Sequence, residues 1–127
     1  MENTPRYKEP SLPVEERIAD LLSRMTLPEK VRQMDMYLGR NFLKQPLTTP
    51  GLVTDADEID WNVVEEVIGD RGLGSIHDLY GTPRINNQLQ RYAVERTRLG
   101  IPILFSEEGL HGYARPGCTI FPQSIAL

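Results

Sequence analysis

Residues 100–127, GIPILFSEEGLHGYARPGCTIFPQSIAL, carry the order from which the rest of the chain is read. Gly100 is a helix-stopping glycine, residues 101–105 form an apolar run of strand length, and Ser106, Glu107, Glu108 and His111 come directly behind it. Polar residues just past the carboxyl end of a strand are where parallel α/β architectures keep their chemistry.

Working outward, Thr82-Pro83 is a helix start, a capping hydroxyl followed by proline at the first helical position. Ile85, Leu89, Tyr92 and Ala93 recur at helical spacing, and Arg96 and Arg98 complement the negative end of the helix dipole before Gly100 stops it. Ahead of this helix, residues 72–76, GLGSI, read as a short strand whose glycines suit a close neighbour. Strand, helix and strand between Leu73 and Phe105 make a βαβ unit, which implies a parallel pair with a right-handed crossover.

Farther out, Ile59, Val63 and Val67, with Trp61 nearby, predict a helix closed by Gly69 and Gly72. Residues 38–57 are rich in glycine, proline and threonine and read as a variable surface loop, although Arg40, Asn41 and Lys44 could face a ligand. Thr26 and Glu29 form a capping box with Pro28 in the first turn of a short helix carrying Leu27, Val31 and Met34 on one face. Ser11 is expected to cap a preceding helix with a stripe of Val14, Ile18, Leu21, Leu22 and Met25. Residues 1–10 read as a flexible lead-in, and residues 11–127 as the domain.

With 14 basic and 18 acidic residues, net charge −4, and the basic residues dispersed, nucleic acid and anionic membranes are poor partners. No apolar run approaches the ~20 residues needed to cross a bilayer. The N-terminus has no apolar signal core, so a cytoplasmic location follows if Met1 is the natural start. Cys118, the single cysteine, reads as a small buried residue and not as a nucleophile.

What can the acidic turn do? Glu107 and Glu108 are poor candidates for a glycosidase acid and nucleophile pair, because such carboxyl groups must converge about 5–9.5 Å apart on one bond. Adjacent residues leaving a strand point in opposite directions instead. Glu108 and His111 have a ligand-like i, i+3 spacing, but Gly109 and Gly112 break any helix and no second such motif exists, so no metal is expected. The glycines of residues 72–76 fit neither a phosphate loop nor a dinucleotide fingerprint, and no organic cofactor is expected. A third possibility is sugar recognition, since a carboxylate at the mouth of a parallel strand can accept two hydroxyl hydrogens in charge-assisted bonds. His111 and His77 read first as structural histidines that orient their turns; His111 could also touch substrate.

Several blocks, in order, resemble glycoside hydrolase family 3, the β-glucosidase and β-xylosidase group. They are residues 97–102 (TRLGIP), an acid three positions before His111-Gly112, residues 119–122 (TIFP), and residues 25–30 (MTLPEK) followed by Gln33-Met34. The resemblance implies the first portion of a (β/α)8 TIM-type barrel preceded by an N-terminal helix pair. A complete barrel takes roughly 250 residues, so at 127 residues the chain is expected to be incomplete and to need a missing C-terminal chain. The implied activity is retaining hydrolysis of terminal β-linked sugars from oligosaccharides or aryl glycosides. By resemblance, Glu108 grips hydroxyls of the sugar in the −1 subsite, while the nucleophile, the general acid and a sugar-binding Lys-His pair lie outside these residues. No catalytic residue is therefore assigned, and the chain alone is expected to be inactive and poorly folded. Many family β-glucosidases carry aspartate where this chain has Glu108, and the longer side chain leans toward a pentoside. The reading from another class is a small non-catalytic α/β module that binds sugar or serves a structural role.

Overall fold

The computed structural model describes residues 4–45, 53–113, 115 and 117–123. Three short strands, β1 (Met36–Leu38), β2 (Ser75–His77) and β3 (Leu104–Ser106), form one parallel sheet in the order β1-β2-β3. Tyr37, Ile76 and Phe105 stand side by side in register, and Leu38, His77 and Ser106 follow at the carboxyl ends. Two helices precede the sheet, α1 (Val14–Arg24) and α2 (Leu27–Arg32); α3 (Trp61–Val67) lies between β1 and β2, and α4 (Pro83–Arg96) between β2 and β3. The βαβ unit expected from the sequence is present, with its strands parallel.

The core follows from the helical stripe of α4. Ile85, Leu89 and Ala93 are fully buried and join Ile76, Leu79, Leu73 and Ile103 in one cluster with Val64, Ile68 and Phe42. Burying one such aliphatic side chain is worth about 1.5–3 kcal/mol, so this cluster is the main source of cohesion. Thr82 caps α4 by accepting the amide of Ile85, and Asp60 caps α3 by accepting that of Asn62, so Ile59 stands before α3 and not within it.

Several local readings shift. Both β2 and β3 start later than expected; at β3 this is because Pro102 has no amide to donate and the Gln90 side chain takes the place of a neighbouring strand at Ile103. Gln90 accepts the Ile103 amide at 2.7 Å and donates to its carbonyl at 3.0 Å. At the end of α4 the stop begins at Thr97, whose hydroxyl donates to Ala93 and accepts from Gly100; Gly100, at φ 64°, only turns the chain afterwards.

The stretch read as a loop from residue 38 directly follows β1, a strand too short to show alternation. Its first part is a 3-10 turn, Gly39–Phe42, with Phe42 buried, and it is closed by antiparallel pairing of Leu43 with Ile59. A Cβ on Gly39 would stand 2.4 Å from the Leu79 Cβ, so glycine permits this turn to lie against the end of β2. Pro46, Thr48, Thr49, Pro50 and Gly51 of the same reading lie outside the described residues.

At the N-terminus the capping box is present in full: Thr26 accepts from the Glu29 amide, and the Glu29 carboxylate accepts from the Thr26 amide at 2.8 Å. Ser11 does not cap α1, because its amide and hydroxyl are both taken by the Glu9 carboxylate, and Pro13 stands at the cap. Cys118 is exposed, contrary to the expectation of burial, since it follows Gly117 in a turn outside the core.

Candidate functional site

Parallel strands deliver their carboxyl ends to one side, so the residues after β2 and β3 meet there. β2 ends on His77, and behind it come Asp78, Leu79, Tyr80 and Gly81; behind β3 come Glu107 and Glu108. The Asp78 amide donates to the Ser106 carbonyl at 3.3 Å, which stitches the two strand ends together. His77 Nδ1 lies 3.3 Å from the Asp78 carboxylate.

The two glutamates part. Glu107 is partly buried, and one carboxylate oxygen, Oε1, accepts the Tyr80 amide at 2.8 Å; the other, Oε2, is buried with no hydrogen-bond partner among the described residues. Burial pushes the Glu107 carboxyl above its usual range, opposed by the amides of Tyr80 and Leu79. Glu108 is exposed. An exposed carboxylate can offer its lone pairs to a ligand, which is what charge-assisted recognition of hydroxyls requires.

Tyr80 closes the rim from the side. The residue is 4% exposed, and its ring stacks on Tyr113, centroids 5.7 Å apart with planes at 13°. The phenol is held above its usual range by burial and then by the negative charges of Asp78, Glu107 and Glu108, against a hydrogen bond from the Glu108 backbone. Arg115 donates to the carbonyls of Tyr80 and Gly81, at 3.1 Å for the first. Asp78 and Tyr80 both have left-handed backbones, φ 52° and 49°, a conformation costing a non-glycine residue of order 1–3 kcal/mol. Such strain persists only where surrounding contacts over-determine it, and it clusters at functional sites.

His111 is exposed, with Nδ1 3.1 Å from the Phe121 carbonyl, while the Phe121 amide donates to the His111 carbonyl at 2.8 Å. It therefore spans the turn that follows β3. Arg40 sits in the turn after β1, half-buried, and Lys44 pairs with Glu58. No group of three or more His, Cys, Asp or Glu among the described residues is arranged to hold a metal ion.

Sequence reasoning singled out Glu108, His111 and, in part, His77, and passed over Asp78, Tyr80, Tyr113 and Arg115. The signal was there for the first two: a five-residue segment between a strand and a Thr-Pro helix start obeys the same strand-end rule that picked out Glu108. A groove of about 690 Å³ lies between α3 and α4, lined by Trp61, Glu65, Arg91, Tyr92 and others, and shares no residue with the rim.

No protein-family model matches the chain. Among curated proteins, a periplasmic β-glucosidase/β-xylosidase of Dickeya chrysanthemi is 39% identical over 109 residues, covering 80% of this chain and 15% of that protein. β-Glucosidase C of Emericella nidulans is 34% identical over 127 residues, covering 95% of this chain and 19% of that protein. Across the curated relatives it matches, the chain spans between 15% and 21% of their length. Over four-fifths or more of its own length, then, the chain is kin to proteins named β-glucosidase and β-xylosidase, and the resemblance to that group of glycoside hydrolase family 3 holds.

Proposed function

We propose that these residues form the sugar-gripping first portion of a retaining β-glycoside hydrolase, with Glu108 holding hydroxyls of a terminal β-linked sugar. The observation that carries this reading is the divergence of the two strand-end carboxylates. Glu107 is spent on the Tyr80 amide, while Glu108 stands exposed on the rim beyond β3. The sequential order β1-β2-β3 is also that of the opening strands of a (β/α)8 barrel, the fold expected from the family resemblance. In such a barrel the nucleophile and the general acid would come from other parts of a longer polypeptide. This chain would supply recognition and no bond-breaking group. His111 serves the same site by holding the turn between Glu108 and Phe121.

The glutamate, one methylene longer than aspartate, reaches farther into the sugar pocket and crowds a hexose hydroxymethyl more than a pentose. A xyloside is therefore the favoured substrate. The test is hydrolysis of matched aryl β-xyloside and β-glucoside by the natural gene product, beside the 127 residues expressed alone. The expected result is faster turnover of the xyloside by the former and none by the latter. Turnover by the 127 residues alone would overturn the division of labour, and a much faster glucoside would overturn the pentose preference.

A further inference from the structure

Tyr80 and its loop raise a separate question: what keeps two left-handed residues in place at the end of β2? The Tyr80 amide turns toward the Glu107 carboxylate and donates to it at 2.8 Å. Backbone N–H groups in such a turn can hold an anion, and here the acceptor is part of the chain itself. The segment after β3 contributes further ties, through Ser106, Arg115 and the Tyr113 ring. Ser106 and Arg115 engage the loop's backbone through the Asp78 amide and the carbonyls of Tyr80 and Gly81, and Tyr113 stacks on the Tyr80 ring. Among the described residues, Glu107 is the side chain that accepts the Tyr80 amide.

We propose that Glu107 is a positioning residue for the sugar-gripping rim: its carboxylate clasps the loop after β2 and so holds that loop against the strand end that carries Glu108. The link to Glu108 runs through the chain, because Glu107 is its immediate neighbour behind β3 and a loop released from Glu107 would free the strand end that carries Glu108. The proposal rests on the sugar-binding reading of Glu108 for its functional part and on geometry alone for its structural part. The two can fail separately.

The experiment uses the natural gene product with Glu107→Ala, Glu107→Gln and Glu108→Ala. Amide hydrogen exchange is followed in peptides covering residues 78–82, and KM and kcat are measured on an aryl β-xyloside. With Glu107→Ala, exchange at Tyr80 should rise about tenfold, the loss of a hydrogen bond to a charged acceptor. KM should rise several-fold with a smaller change in kcat. Glu107→Gln keeps an acceptor for the Tyr80 amide and should recover most of both. Unchanged exchange at Tyr80 in Glu107→Ala overturns the clasp. Should the alanine variant fail to fold, Glu107→Gln decides, because fast exchange at Tyr80 in an otherwise protected glutamine variant also overturns it. A loosened loop with KM unmoved overturns the link to the rim while leaving Glu108 intact. If Glu108→Ala leaves KM unmoved, the sugar-binding reading falls, and the exchange result alone stands.

Discussion

The N-terminal helices and the βαβ unit are both amphipathic in sequence, yet only one of them buries its apolar face. In α4, Ile85, Leu89 and Ala93 are fully buried, whereas in α1 and α2 Val14, Ile18, Leu22, Leu27 and Val31 are 45–74% exposed. The helix pair is held by polar ties instead. Arg98 donates to both oxygens of Glu29, at 2.7 and 2.6 Å, and to the Arg24 carbonyl. Tyr7 donates through its hydroxyl to the Leu99 carbonyl at 2.6 Å and through its amide to Asp20 at 3.0 Å. An apolar stripe predicts a helix; whether the stripe is buried depends on what the rest of the fold sets against it.

Truncation at the centre of each region should separate them most widely. Ile76→Ala, in the buried middle strand, is expected to cost about 2–5 kcal/mol of unfolding free energy. Leu22→Ala, in the exposed stripe of α1, should stay within about 0.5 kcal/mol. Equal losses in denaturant unfolding would break the contrast.

Next in size is Gly74→Ala. The added Cβ would fall 2.1 Å from the Gln33 carbonyl oxygen, at the point where the end of α2 crosses the start of β2. Overpacking of this kind costs about 1–3 kcal/mol, and here it acts where the two regions touch. A variant as stable as the parent in thermal unfolding would show that the crossing is loose. Thr26→Ala should cost about 1 kcal/mol by removing the capping box of α2. That loss should appear as faster amide exchange in α2 and not in α4.

Two glutamates, Glu29 buried and Glu107 partly buried, sharpen the comparison through pH. Hydrogen bonds from Arg98, helped by those from Thr26 and opposed by burial, hold Glu29 at about 2, below its ordinary 4.5. Its stabilisation is therefore present above the unfolded value and is lost as pH falls from about 4.5 through 2. Glu107 is shifted upward by burial, so its contribution is fully present below the unfolded value and is lost as pH rises through the folded one. Thermal melts against pH should give Glu29→Gln and Glu107→Gln differences from the parent that change in opposite directions. Parallel trends would contradict the assigned environments.

Much of this was legible in the chain. The Thr82-Pro83 start, the Thr26 and Glu29 capping box, and the parallel strand pair around α4 follow from residue chemistry at fixed offsets. β1 was not legible, because three residues carry no period and Met36 is exposed. The late start of β3 depends on Gln90, a residue 13 positions earlier whose side chain replaces a strand neighbour. At the rim, Glu108 could be picked out by its position after a strand. Tyr80 could not be brought beside it without the left-handed turn at Asp78, a conformation non-glycine residues seldom announce.

The most direct test of the rim is substrate affinity in Glu108→Ala of the natural gene product, measured as KM and as binding of methyl β-xyloside. Removal of a charge-assisted contact to sugar hydroxyls should weaken binding by roughly tenfold or more, while the thermal midpoint stays unchanged, because the side chain is exposed. Unaltered affinity in a folded Glu108→Ala protein would contradict the assignment of this carboxylate to the sugar.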